Sequence, residues 1–467
     1  MAIIKKVFLF ILLTLIIIGL AILVWGRDET LNPTAARFLQ PPIVVEKENA
    51  YFYMVGFTAL PNKNPEEVGK QILLRQQLAK DRNLKKEEKE QVHFSGNPIS
   101  SCSKENNSDI DCMIKNKAQI EKAIDQNKLF MERYAELLKY KLFADMVPGS
   151  VTSISLPFLD LQRAKFAWWS KATLLIADDK VSEGLKLLQE DANFWRMLSM
   201  QADNLLTRMV AVAMLHKQYE MLSQLINYFP SLVDKEKEQL LQIAAHLSPQ
   251  ELSFRRALAG ELRIAANTLH QFNNPTSAAK DTDRPCVDKN GKPCATESKM
   301  NFSLEHPFWR RTLFYRYNAT LNLQANLLEK WADYSEMPVQ KIIQQKEPFI
   351  KALEHQYKPS DLSSWEIYNR LGKYLVAAGY FDVSQQIFKL HDLEGLIRLI
   401  NLQIQIASFH LSNEKIGPFL QTSDMELMNP YSGDAMIWDE KEQSISFRSL
   451  GNEDGGEIAI RIKKPIK

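Results

Sequence analysis

Near the C-terminus, Asn452, Glu453, Asp454 and Glu457 place four oxygen-bearing side chains within one short stretch. Calcium takes six to eight oxygen ligands from carboxylates and amides, so these four are the chain's calcium candidates. The competing reading is a plain turn-rich hairpin, because Gly451, Gly455 and Gly456 frame the same stretch. The other residues with chemistry in them are the four cysteines, which fall into two local pairs, Cys102 with Cys112 and Cys286 with Cys294. Both pairs sit in polar segments, and an even count suits disulfide staples in an oxidising compartment. Structural zinc pairs usually have two to four residues between ligands, and these have more, with no adjacent histidine. Zinc and free thiols remain the alternatives.

Catalytic patterns are missing from the sequence. It has no H-E-x-x-H, no G-x-S-x-G and no phosphate-binding G-x-x-x-x-G-K-[ST]. The eight histidines are scattered, and His216 and His410 fall in helical segments, where a packed or surface role is expected. The carboxylate pairs Asp178-Asp179 and Glu190-Asp191 read as a turn and a helix face. Glycosidase chemistry needs two carboxylates converging across a cleft, which sequence cannot show. Trp168-Trp169, Phe194-Trp195 and Phe308-Trp309 read as core packing, with a sugar-stacking or partner groove as the alternative.

These residues need positioning, and the periodicity says by what. Leu185, Leu188, Ala192 and Trp195 recur at helical spacing, as do Leu205, Met209 and Val212, then Tyr219, Leu222, Ile226 and Phe229. Asp178-Asp179-Lys180 reads as a short turn between two helices, which gives an antiparallel hairpin. A helix is expected over Met113–Met146, stopped by Pro148-Gly149, and others over roughly 338–355, 362–379, 383–390 and 393–411. Ser248-Pro249-Gln250-Glu251 is a helix start, with Ser as cap, Pro in the first turn and Glu as the reciprocal partner. Residues 27–65 read as extended, and Lys80–Glu90 as a solvated charged stretch. The tail changes to period two at Met436–Trp438, Ile445 and Phe447, then Ile458, Ile460 and Ile462, which predicts a small antiparallel sheet.

The expected organisation is therefore mainly α: a cytoplasmic stub and transmembrane signal anchor (1–26), an irregular region with a charged helix and the first Cys loop (27–112), a helical array (113–425) and a small β-rich tail (426–467). The anchor rests on the uncharged run Val7–Trp25, preceded by Lys5-Lys6 and followed by Arg27-Asp28-Glu29. At about 1.5 Å per residue such a helix can cross a hydrocarbon core of roughly 30 Å. A cleaved signal peptide has a shorter apolar core and small residues before the cut, which this run lacks. Positive flanks stay cytoplasmic, so the expectation is a single-pass bacterial inner-membrane protein with its bulk in the periplasm. The chain has 58 basic and 56 acidic residues. Lys5 and Lys6 account for the difference, and the balanced remainder argues against nucleic acid as a partner.

The hairpin pattern resembles tetratricopeptide-like helical arrays, though without the signature of a 34-residue repeat. The tail series Asn429-Pro430-Tyr431-Ser432-Gly433, Ile445–Gly451 and Asn452–Gly456 resembles a C-terminal signature of uncharacterised membrane-anchored bacterial proteins. It is also similar to the end of the type II secretion major pseudopilin, whose matching loop binds calcium. Here Arg448 replaces an aromatic residue of that pattern, and the acidic pair is Glu453-Asp454. Glu48–Phe57, Asn193–Arg196 and Thr207–Met209 resemble a proteobacterial inner-membrane family of unknown function. The expected function is a membrane-anchored periplasmic scaffold or interaction protein, without catalysis, that binds an envelope protein through its helical array. The alternatives are an envelope polysaccharide or peptidoglycan hydrolase using carboxylates, and a pilus or secretion accessory protein.

Overall fold

A computed structural model describes residues 27–42, 48–77, 91–96, 109–146, 156–273, 315–357, 368–451 and 455–462, together with Phe10, 12–14 and Ile16. The chain is mainly helical, with a three-stranded antiparallel sheet at its C-terminal end.

The stretch that reads as extended holds two short helices, α1 (Pro33–Leu39) and α2 (Ala50–Val55), followed by α3 (Pro65–Gln77). Asn32 and Asn49 cap α1 and α2 by accepting from Ala35 N and Tyr51 N, so side-chain caps start helices where the apolar pattern was too short to show them. Every residue of α2 is buried. The expected helix over Met113–Met146 is instead three: α4 (Asp109–Lys115), α5 (Lys117–Gln126) and α6 (Lys128–Leu137). The breaks fall at Asn116 and Asn127. Asn127 is buried and spends its amide on Ser95 and Ala123 backbone groups, which fixes the second break.

Four helices follow: α7 (Phe158–Ala177), α8 (Val181–Gln201), α9 (Leu205–Tyr228) and α10 (Ser231–Ile243). Between α7 and α8, Asp179 adopts φ 61° while Lys180 N donates to Leu175 O and Asp179 N to Ile176 O. This is a left-handed helix stop that satisfies the last carbonyls and turns the chain back. The two helices run antiparallel: Trp168 pairs with Leu187 and Lys165 with Asp191 across the turn.

The hairpins are held by a buried polar network. Lys165 donates to Asp191 and to Gln218 (2.8 Å), and Trp169 Nε1 to Asp191 (2.9 Å). Tyr134 donates to the other Asp191 oxygen (2.5 Å) and accepts from Trp195 Nε1 (2.7 Å). Thus α6, α7 and α8 meet at one carboxylate and α9 joins them through Lys165, and Lys165 and Asp191 are 1% and 0% exposed. Burial pulls the Lys165 ammonium down to about 8, against the opposing pull of Asp191. The paired aromatics Trp168-Trp169 and Phe194-Trp195 are core; Phe308-Trp309 lie outside the described residues.

Next come α11 (Pro249–Leu252), α12 (Arg255–Asn273), α13 (Tyr317–Ser335), α14 (Val339–Tyr357), α15 (Arg370–Ala378), α16 (Ser384–Ser408) and α17 (Asn413–Gln421). Ser248 and Glu251 form the reciprocal cap seen in the sequence, but that helix is only one turn long before α12 begins. Replacing Ser248 by alanine is expected to cost about 1 kcal/mol, with asparagine retaining most of the stability; urea unfolding of the three proteins checks it. The two helices expected over 383–390 and 393–411 are one, α16. His391 and Asp392 fall in the gap between the two expected ranges, and both side chains are buried. Apolar residues lie on all faces of α16, and it packs on α9 and α10 while carrying the sheet. Helix α1 packs on α12 and α13, so the N-terminal arm joins the same body.

The sheet order is β1 (Ile437–Asp439), β2 (Ser444–Arg448), β3 (Glu457–Arg461), with Trp438 opposite Ile445 and Ile445 opposite Ile460. Four of the five β2 residues are buried, because α16 lies against the sheet.

The expected membrane anchor needs correction. Among the described residues no helix is long and apolar enough to cross a membrane. The longest, α16, carries Lys389, Asp392, Glu394 and Arg398 and spends its apolar faces on the protein's own core. The single-pass inner-membrane placement, with its cytoplasmic N-terminus and periplasmic bulk, is overturned with it. Most of Val7–Trp25 lies outside the described residues, as do Lys80–Glu90 and residues 274–300.

Candidate functional site

A cleft of about 1170 Å³ opens between five parts of the chain. The N-terminal arm contributes Arg37, Phe38, Gln40 and Pro42, and the α8–α9 turn contributes Met200, Gln201 and Asp203. The segment from Leu247 through Arg263 forms a long wall. The α13–α14 turn (Ser335–Val339) and the His391, Glu394 and Arg398 positions of α16 close it, with Pro430 beside them.

Three carboxylates fix these parts. Asp203 lies between α8 and Asn204, which is extended and caps α9 through Thr207 N. Helix α12 lies directly on this turn: a Cβ on Gly260 would fall 1.4 Å from Asp203 O, so only glycine permits the approach. That approach brings in Arg256 and Arg263, two turns apart on one face. Arg256 Nε and Arg263 Nη2 each lie 3.1 Å from Asp203 Oδ1, and Asp145 N donates to Oδ2. Arg263 also donates to Phe38 O and Gln40 O, tying the arm to the wall. Burial lowers the Arg263 guanidinium from its ordinary value, with Asp203 opposing.

Glu251 is the second fixed point. Arg196 grips it with two bonds, Nε to Oε1 at 2.7 Å and Nη2 to Oε2 at 2.9 Å, a planar fork geometry. Burial works against ionisation of Glu251, but Arg196 and Ser248 outweigh it and hold the carboxyl below the usual range. Behind this wall Arg208 is fully buried. It donates to Glu251 O at 2.6 Å and lies 4.3 Å over the Phe254 ring. Burial drives its guanidinium down to about 9.

Glu394 is the third. Its oxygens accept from Leu247 N (2.9 Å) and Arg398 Nε (3.0 Å) and pair with His246 Nδ1 (2.8 Å). Burial raises its pKa, but these bonds and charges prevail and hold it low. Arg398 Nη1 donates onward to Met428 O.

One turn before Glu394, His391 lines the cleft while 6% exposed. Burial lowers it from 6.5 to about 4, with Glu394 pulling up and Arg398 pushing down. A base depressed on folding is neutral in the fold but protonated when unfolded between those values. Stability is therefore complete above pH 6.5 and falls as pH drops toward 4. Between pH 7 and 5 we expect a loss of roughly 2 kcal/mol from this group. Urea unfolding of the native protein and His391→Gln at both pH values checks it, because the variant should lose less over the interval.

Of the calcium candidates read in the sequence, only Glu457 falls among the described residues. Asn452, Glu453 and Asp454 lie outside the described residues. Glu457, on β3, accepts from Ser446 Oγ. Tyr431, Ser449, Leu450 and Gly451 converge on buried Asp392 of α16. Tyr431 OH donates at 2.6 Å, Ser449 Oγ at 2.7 Å and Gly451 N at 2.9 Å. Among the described residues no group of three or more His, Cys, Asp or Glu side chains could hold a metal ion. Cys112 is disulfide-bonded; Cys102, Cys286 and Cys294 lie outside the described residues.

None of the cleft's charged residues was singled out as a site residue in the sequence. The legible signals were Arg255-Arg256 with Arg263 two turns later, and charged residues inside the otherwise apolar α16. Asp191, read as a helix-face residue, is the centre of the buried network.

Fold and cleft define a mainly helical protein, closed by a small antiparallel sheet, with a walled cleft beside its central helix. No family model, curated protein or solved structure matches this chain.

Proposed function

We propose that the chain is an interaction protein: an antiparallel helical-hairpin array, tetratricopeptide-like in style, whose cleft receives part of a protein partner and performs no catalysis. The observation that carries this reading is that the cleft is wide, assembled from five parts of the chain, and lined by charged groups already committed to holding its shape. Sites of this kind are pre-organised for binding, since little ordering cost remains when the partner arrives.

The rival reading, hydrolysis by two carboxylates, asks for one carboxyl that stays protonated and free to donate. Glu394 is held low by its partners, which favours binding over acid catalysis there.

The test fills the cleft. Ala259 is half-buried in its wall. With full-length protein, crosslinking in the native host followed by affinity purification is expected to recover one stoichiometric partner, and Ala259→Trp to lose it without a lower unfolding midpoint. Recovery of the same partner by the variant, or turnover of a polysaccharide by the native protein, would overturn the reading.

A further inference from the structure

Three arginines of the cleft keep hydrogen-bonding capacity in reserve. Arg255 commits Nε and Nη2 to Asp333 and Glu336. Arg256 commits Nε and Nη2 to Asp203 and Phe143 O. Arg398 commits Nε and Nη1 to Glu394 and Met428 O. Among the described residues each guanidinium thus keeps one terminal nitrogen unspent: Nη1 of Arg255, Nη1 of Arg256 and Nη2 of Arg398. These side chains are 32%, 36% and 22% exposed, so the spare N–H groups meet solvent in the cleft. The carboxylates of the lining are spent: Asp203, Glu336 and Glu394 are each occupied by cations or backbone N–H groups. A cationic ligand finds no uncommitted carboxylate in this lining, whereas one offering carboxylates finds three guanidinium nitrogens held in place.

Between the arginines the lining is apolar, with Phe38, Met200, Leu247, Leu252, Met337 and Val339. The volume, about 1170 Å³, exceeds the roughly 300–1,000 Å³ typical of small-molecule pockets. Resting on the interaction reading above, we infer that the cleft takes an extended peptide segment of its partner in which acidic side chains alternate with apolar ones. The carboxylates meet Arg255, Arg256 and Arg398, and the apolar side chains meet the lining between them.

Selection of a random twelve-residue peptide display library on the full-length protein tests this. Peptides displaced by Ala259→Trp should be enriched in Asp and Glu. The best of them, made synthetically, should bind Arg255→Gln and Arg398→Gln about tenfold more weakly, and Arg255→Glu more weakly still. Lys186→Gln, on the exposed outer part of α8, should bind like the native protein. Unchanged unfolding midpoints keep loss of fold from imitating the result. Cleft-dependent peptides without acidic enrichment would overturn the acidic-segment inference and leave the cleft as a binding site. Complete displacement of the peptide by equimolar inorganic phosphate would reduce the site to a small-anion pocket and overturn it too. Failure to select any cleft-dependent peptide would remove both this inference and the interaction reading beneath it.

Discussion

Replacing Asp191 by alanine is expected to cost about 3–5 kcal/mol, the largest loss from any single side chain described here. The change strands Lys165 as a buried cation and leaves Tyr134 OH and Trp169 Nε1 without their acceptor. Gln218 remains beside the ammonium, but an amide oxygen does not replace a carboxylate. Lys165→Met should cost less, because the carboxylate keeps Tyr134 and Trp169. The double variant Lys165→Met with Asp191→Leu should recover part of the single loss, since a buried pair removed whole costs less than one broken. Urea unfolding of the three variants checks the order. A loss under about 1 kcal/mol for Asp191→Ala would mean that the network does not hold the hairpins together.

The second large effect is at the tail. Asp392→Ala is expected to cost about 3 kcal/mol and to release the segment after residue 428 before the helices unfold. The carboxylate gathers Tyr431 OH, Ser449 Oγ, Leu450 N and Gly451 N from two turns of the tail. Burial, and then the neighbouring Asp392 charge, push the Tyr431 hydroxyl up, so it stays a donor throughout the working pH range. Gly451 allows the approach: a Cβ there would fall 2.4 Å from Asp392 Oδ2 and 2.7 Å from Lys389 N. Gly451→Ala should therefore imitate Asp392→Ala at smaller cost, about 1–3 kcal/mol. Hydrogen exchange separates local from global effects. Fast exchange confined to β1–β3 fits a latch, and uniform acceleration over α7–α9 does not.

The contrast between these two sites shows what the sequence carried. Helical spacing gave the hairpins around Trp195 and Tyr219, and period-two spacing gave the three strands, because both patterns are local. The capping box at Ser248 was legible for the same reason, although its single-turn length was not. Breaks at Asn116 and Asn127 escaped notice because the apolar rhythm continues across them while the decisive bonds, such as Asn127 to Ser95, are made with a distant segment. The His391-Asp392 step misled in the opposite direction. A polar pair in an apolar run reads as a boundary, and only the tail returning from residues 431–451 satisfies Asp392 and lets the helix continue. The cleft was least legible. Its fixed points join Asp203 to Arg256 and Arg263, and Glu394 to His246, across 53, 60 and 148 residues of sequence. The tail signature was visible as a motif, but its contact with Asp392 was not, because Tyr431, Ser449 and Gly451 reach a carboxylate 39 to 59 residues away.

The most direct test of the account places a photo-crosslinking amino acid at Gln250, exposed on the cleft wall, and in a second protein at Lys186, exposed on α8 well away from Met200. Both full-length proteins are expressed in the native host and irradiated. One discrete crosslinked band from Gln250, of constant mass and lost on adding Ala259→Trp, with none from Lys186, is the expected result. Equal crosslinking from both positions, or none from Gln250 at native expression, would contradict the claim that this cleft is where the protein meets its partner.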